Sequence, residues 1–339
     1  MKTRIFITVD VECAEERPFA GQVRPPVDFD LRVWGRLSNQ NRELGIGLIM
    51  DMLEARGLCA TFFVEALGAA FFGEDRLGDV CREISSRGHD VQLHLHPILR
   101  EPKWHSNQIE PPEDDVGAYP LEQQVALLSE GIDILDRCGI ARGAVTCFRA
   151  GNYGADNRTW QAMKHVGLAI SSNYNASYLG HSCRIEWPTR ENGLFDTGVG
   201  VLELPVSNFI QPNGRLRHLQ LTAVSTGEII HYLEHAPSLG IREVTLVTHS
   251  FELFHLDSVT ARKGRPNRLN IARLDKLCRY LGEQSERFEV RTVGSIAGEP
   301  APARPAPQPL PRGARLPHWR RIVEQAVKRV ESAMVMSSR

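Results

Sequence analysis

The seven cysteines of this chain (Cys13, Cys59, Cys81, Cys138, Cys147, Cys183 and Cys278) are scattered, odd in number and include no CxxC pair. That excludes a zinc ribbon, argues against a disulfide framework and fits reduced thiols in a cytosol. Net charge is equally scarce, since 40 Lys and Arg stand against 41 Asp and Glu. A nucleic-acid binder carries a basic field, and none is present outside the C-terminal end. Long hydrophobic runs are missing too, so no transmembrane helix is expected. The apolar run before Asp10 is too short for a signal peptide and no cleavage site follows it. Internal repeats are absent, and aromatics make up only 7% of the chain. These absences leave a soluble, cytoplasmic protein whose 42% apolar residues suffice for a core without staples.

What is present is alternation. Short β-rich runs separated by helical periodicity predict an α/β fold with a largely parallel sheet. Strands are predicted over 4–10, 59–64, 90–96, 145–149, 168–171, 244–249 and 288–292. Helices are predicted over 42–56, 77–87, 121–138, 156–165, 226–236 and 268–283, and residues 184–210 read as irregular β structure or hairpins. About seven parallel strands make a distorted, incomplete (β/α) barrel. The aperiodic stretch 97–120, which contains Trp104, is longer than a plain connector and marks a substrate loop.

The barrel is expected to span 1–298, followed by a Pro/Ala/Arg-rich linker over 299–317. Beyond it, over 318–339, Trp319, Ile322, Val323, Ala326, Val327, Val330, Ala333 and Met334 recur at helical spacing. Arg320, Arg321, Lys328 and Arg329 occupy other faces. Such a basic amphipathic helix suits three roles: resting on an anionic membrane, packing on the barrel, or pairing with a partner protein.

Functional residues of parallel α/β folds gather at the carboxyl ends of strands. Here one strand ends in Thr8-Val9-Asp10-Val11-Glu12 and another in Gln92-Leu93-His94-Leu95-His96-Pro97. Two more end in Phe148-Arg149-Ala150-Gly151-Asn152-Tyr153-Gly154 and Leu246-Val247-Thr248-His249-Ser250-Phe251-Glu252. Residues two apart on a strand share a face, so His94 and His96 aim at one centre, as do Asp10 and Glu12. Two imidazoles and a carboxylate suit zinc or another divalent transition metal with positions left for water. A second carboxylate beside such a water acts as general base, and an opposed histidine protonates a leaving group. Singly, each residue has an ordinary reading: an acid that caps a helix, an arginine that anchors a loop, a satisfied core histidine. Four such sites at separate strand ends point instead to a metal-assisted hydrolase.

The ordered set TVDVE, ATFFV, GHDVQLHLHP, FRAGNYG and LVTHSFE resembles the motif series of the polysaccharide deacetylases, carbohydrate esterase family four. The resemblance implies a distorted seven-stranded barrel and the removal of N- or O-acetyl groups from sugars with one divalent metal, zinc first, then cobalt, nickel or iron. It assigns Asp10 as general base, Arg149 as the arginine that orients it, and His249 as general acid. Glu12 and His94 become metal ligands. The family spaces its two metal histidines four apart, but position 98 is Ile, so His96 stands in. The fourth motif's acid and tryptophan have no match near Ser171-Ser172-Asn173-Tyr174, and Glu252 is a candidate to tune His249 in their place. Asn152, Tyr153 and Trp104 are the candidate substrate contacts. The expected substrate is an acetylated amino sugar, nucleotide-linked or lipid-linked, in the cytoplasm or at the inner membrane. It would be a precursor in bacterial surface polysaccharide or lipopolysaccharide biosynthesis. A deformylase or other deacylase is the alternative within the same chemistry, and a metal-free glycan-binding scaffold the alternative outside it.

Overall fold

Alternation along the first strand, β1 (Thr3–Val11), decides where the rest of the chain packs. Ile5, Ile7, Val9 and Val11 point to one side and join the large core between sheet and helices. Phe6 points the other way into a smaller cluster, and Thr8 and Asp10 follow it on that inner face. The computed structural model describes residues 2–13, 26–103, 112–300 and 310–325.

β1 pairs in parallel with β10 (Glu243–His249) on one edge and with β2 (Thr61–Glu65) on the other. The parallel run continues through β3 (Asp90–Leu95), β4 (Cys147–Ala150), β5 (Ile170–Ser171) and β7 (Leu202–Glu203). An antiparallel strand, β6 (Phe195–Asp196), ends it, and β13 (Phe288–Val290) pairs with the first residues of β1. The order β10-β1-β2-β3-β4-β5-β7-β6 has two unjoined edges, which makes the expected incomplete barrel.

Strands β5 to β7 are only two residues long for a local reason. Past Ser171 the backbone N–H groups of Asn173 and Tyr174 donate to the buried Glu203 carboxylate, both at 2.8 Å, so the ladder stops there. Two hairpins lie outside the sheet, β8 (Asn208–Ile210) with β9 (Leu216–His218) and β11 (Phe254–Ser258) with β12 (Lys263–Pro266). The second has no counterpart in the sequence reading, since its residues are polar and its register is broken by a bulge.

Helices α1 (Phe29–Arg32), α2 (Ile46–Glu54), α3 (Ala69–Phe72), α4 (Glu74–Ser86), α5 (Leu121–Arg137), α6 (Asn157–Val166), α7 (Thr226–His235) and α8 (Arg268–Glu283) connect the strands. Helix α2 starts at Ile46 and not at 42, because Gly45 is pressed against the chain at Val33, where a Cβ would lie 1.9 Å from the carbonyl oxygen. Capping boxes at Asp156 with Thr159 and at Ser225 with Glu228 set the starts of α6 and α7. A further helix, α9, covers 315–325. No helix of the described residues is long and apolar enough to cross a membrane.

Inside the barrel, Phe6, Phe63, Cys147, Ile170 and Leu204 are sealed by Val293 and Ile296 at the amino ends of the strands. The carboxyl ends are left to polar side chains.

Candidate active site and metal centre

Register brings the sequence motifs together. His249 of β10 lies opposite Asp10 of β1, Glu65 of β2 opposite His94 of β3, and His94 opposite Arg149 of β4. Arg149 is fully buried and crosses the barrel over the Phe63 ring, its guanidinium carbon 4.3 Å from the ring centroid. Its Nη1 reaches Asp10 Oδ1 at 2.6 Å and Thr8 Oγ1 at 2.9 Å. Ser172 accepts from the other side, at 2.9 Å on its hydroxyl and 3.3 Å on its carbonyl oxygen. A buried carboxylate needs compensating partners, and here a cation with its own donors saturated supplies them.

The second half of the site is built from nitrogen. Glu12 Oε1 lies 3.1 Å from His94 Nε2 and 3.5 Å from His96 Nε2, with the two rings 5.1 Å apart. Behind the rings both Nδ1 atoms are committed. His94 Nδ1–H donates to the Arg149 carbonyl oxygen, and His96 Nδ1–H to Asp114 Oδ2, each at 2.8 Å. That leaves two Nε2 lone pairs facing a carboxylate, and His96 Nε2 is buried with no hydrogen-bond partner. A divalent cation between the three donors resolves the conflict, since the three ligand atoms lie within 4.8 Å of one another. Neutral imidazoles oriented from behind by a carbonyl and a carboxylate are what such an ion requires. Without it a proton must serve: burial opposes this, but Asp114 and Glu12 raise the His96 pKa well above the ordinary value. Glu12, against its own burial, is held well below the usual carboxylate range by His249, His94 and His96.

Gly151 makes room for this geometry. A Cβ there would stand 2.4 Å from His96 Cε1. The next two residues, Asn152 and Tyr153, have left-handed φ values of 57° and 56°, unusual for side-chain-bearing residues. Asn152 Nδ2 donates to Asp114 Oδ2 at 2.8 Å, and Tyr153 packs on Tyr178.

His249 completes the site. Its Nε2 faces Asp10 Oδ2 at 3.9 Å and Glu12 Oε1 at 3.8 Å, while Nδ1 meets Glu252 Oε1 at 2.8 Å. Glu252 is fixed by Gln220 Nε2 at 2.5 Å, Thr248 Oγ1 at 2.8 Å and Thr222 Oγ1 at 3.1 Å. Burial lowers the His249 pKa, but Glu12, Glu252 and Asp10 outweigh it and push the value up to about 9. These three carboxylates favour the protonated form of the ring.

Asp10, Glu12, His94, His96, Arg149 and His249 thus meet in one place, with Asn152 and Tyr153 beside them. Trp104 lies outside the described residues. Sequence reasoning missed Thr8 and Ser172, which hold Arg149, and Asp114, which orients His96. Thr8 was open to discovery, two residues before Asp10 on the same face. Asp114 sits in an aperiodic loop and carries no signal. Ile98, where a second metal histidine was expected, uses its backbone N–H to hold Asp114 Oδ1 at 3.3 Å. Glu65 ends β2 inside the same shell, accepting from the N–H of Leu67 and Gly68 at 2.8 and 2.7 Å, and burial pushes its pKa up to about 7.

The sequence matches no protein-family model and no curated protein. The backbone is similar to that of a protein from Mycobacterium smegmatis provisionally classed as a polysaccharide deacetylase. The TM-score is 0.53 at 16% identity, over 90% of this chain and 95% of that one. The chain has the fold of the polysaccharide deacetylases. A 4-α-glucanotransferase from Thermococcus litoralis is similar as well, with TM-score 0.52 at 12% identity, over 91% of this chain and 42% of that one. The deacetylase fold is thus shared with a protein named for a different reaction, and the chemistry has to be argued from the side chains.

Proposed function

We propose that this chain is a metal-dependent hydrolase that removes the N-acetyl group from a sugar. Asp10 is the base, His249 the acid, and Glu12, His94 and His96 hold one divalent ion, zinc by the character of the donor set. The observation that carries the reading is the meeting, at one barrel end, of an arginine-paired carboxylate, a carboxylate-backed histidine and a Glu–His–His ligand set. The ion, when bound, polarises the acyl oxygen and makes a water reactive near neutral pH.

The protein's own groups supply the rest. Arg149 occupies Asp10 Oδ1, so Oδ2 is the oxygen free to take the proton from the attacking water. We assign the donor to the developing oxyanion to a backbone N–H near Asn152 and Tyr153, where the chain turns through left-handed φ values beside the site. His249 gives its Nε2 proton to the departing nitrogen, and Glu252 holds the other ring nitrogen so that Nε2 stays aimed at the centre. The carbon–nitrogen bond breaks, and acetate and a free amino sugar leave.

We assign the substrate to the cytoplasm, as a nucleotide-linked or lipid-linked acetylated amino sugar used in building bacterial surface polysaccharide or lipopolysaccharide. Seven free thiols, six of them buried, support a reducing compartment.

Elemental analysis of the wild type and of His94→Ala/His96→Ala, followed by acetate release from a panel of N-acetyl and N-formyl amino sugars, tests the reading. About one equivalent of metal lost in the variant, with acetate released only by the wild type, is expected. A folded wild type that takes up no metal after reconstitution would leave a glycan-binding scaffold. Formate release without acetate would leave a deformylase.

A further inference from the structure

The described part of the C-terminal segment, 310–325, is bound to the barrel along one side. Ile210 of β8 donates to the Pro311 carbonyl oxygen at 2.9 Å and accepts from Gly313 N–H at 2.8 Å. In α9, Arg321 is 4% exposed, with Nε 3.0 Å from Glu228 Oε2 and Nη2 2.8 Å from Gln211 Oε1. His318, also buried, stands 3.0 Å from Arg321 and 3.6 Å from Glu228. Arg273 of α8 reaches Glu324 at 2.7 Å. Together these pairs fix the rotation of α9 about its own axis, so that one face is always turned outward.

That outward face is apolar. Leu316, Trp319, Ile322 and Val323 are 72, 62, 38 and 60% exposed, four of the six large apolar side chains so exposed among the described residues. At about 100° per residue they occupy one arc, turned away from His318, Arg321 and Gln325. Exposed Arg315 falls within the arc at the first turn of the helix, between Ile322 and Trp319, and exposed Arg320 lies beyond Leu316 at the edge. The apolar and basic spacing continues in the sequence through Val327, Lys328, Arg329 and Val330, which lie outside the described residues.

We propose that this face docks the protein on a bilayer containing anionic phospholipid. The chemistry matches part by part. Aliphatic side chains enter the acyl boundary, an indole sits at headgroup level, and the guanidinium groups of Arg315 at the helix start and Arg320 at the edge meet lipid phosphates. A second copy fits less well: an isologous pairing would bring Arg315 and Arg320 against another face that carries the same two arginines. The acid of the described helix, Glu324, is already paired with Arg273. The inference stands on α9 alone and is independent of the reaction assigned to the barrel.

Co-sedimentation of the full chain tests it, with vesicles of phosphatidylcholine alone and with roughly 30 mol% phosphatidylglycerol added. Binding to the anionic vesicles is expected, weakening with salt and reduced about tenfold or more in Trp319→Ser/Val323→Ser. Arg315→Gln/Arg320→Gln should remove most of the preference for anionic over neutral vesicles. Circular dichroism and thermal unfolding verify that each variant is folded, since the substituted side chains are exposed and the Arg321–Glu228 pair is kept. Three outcomes overturn the proposal. The wild type stays in the supernatant; the apolar variant binds as the wild type does; or light scattering shows a dimer that the apolar variant dissolves, which gives the face to a second copy.

Discussion

Asp10 and Glu12 are carboxylates two residues apart on one face of β1, and they differ in what meets them. Asp10 meets Arg149, a guanidinium delivered across the barrel from β4 and saturated by Thr8 and Ser172. A guanidinium is a permanent cation, so this pair needs nothing else to be complete. Glu12 meets three imidazoles, His94, His96 and His249, at 3.1 to 3.8 Å. Imidazoles are charged only when protonated, so this half of the site is complete only when a proton or a metal ion is supplied. The contrast teaches that the task of a carboxylate is set by the permanence of its partner. In the proposed reading, the carboxylate with the permanent partner serves as base and the one among imidazoles serves as ligand to a cation.

The largest expected effects test that division directly. Asp10→Asn should lower kcat about 10³-fold while leaving metal content unchanged, whereas Glu12→Gln should lose the metal as well as the activity. Equal metal loss in both, by elemental analysis, would erase the distinction between the halves. Gly151→Ala comes next, because its Cβ would collide with the His96 ring. We expect metal affinity to fall roughly 10- to 100-fold by competition with a chelator, with the Asp10–Arg149 pair untouched.

Glu252→Gln should act on the acid alone. In metal-stripped wild type, NMR titration of His249 should give a value near 9, and the variant should titrate at lower pH because one of the charges that raise it is gone. A general acid works while protonated, so the alkaline limb of the kcat profile should also move to lower pH in the variant. A limb that stays in place would remove His249 from that role. The smallest effect concerns His218, whose pKa burial pushes down to about 4. Its folded value lies below its unfolded value, so its contribution to stability is whole above about pH 6.5 and is lost as pH falls toward 4. Urea midpoints across that range should fall less steeply in His218→Gln than in the wild type.

The fold was legible because its signals are local. Period-two alternation in Ile5, Ile7 and Val9 against Phe6, Thr8 and Asp10 belongs to any half of a two-faced strand. Helical periodicity brackets α4, α5 and α8 to within a few residues. The bulged hairpin β11–β12 was illegible because its pairing is polar and irregular, and the start of α2 because it depends on a contact between Gly45 and a distant turn. In the site, His94, His96, Asp10 and Arg149 were readable at strand ends, while Asp114, Ser172 and Gln220 were not. They come from loops whose course is set by what they touch, not by their own spacing.

Residue spacing along the chain was therefore enough for the order of seven strands and six of the helices, and for several of the polar side chains that stand at the open end of the barrel. It also carried the likeness to the deacetylases, because face and strand end depend only on period and position. Which partner each of those side chains receives was settled by tertiary structure. Parallel register set His249 beside Asp10, the reach of Arg149 over Phe63 paired the Asp10 carboxylate, and the loop at Asp114 turned the His96 ring inward. The same holds for α9: its amphipathic pattern is written in the sequence, but which face points outward was decided by Arg321, Glu228 and Glu324. Hydrogen bonds and ion pairs act over a few ångströms, and only a folded chain brings residues 12, 96, 114 and 249 within that range.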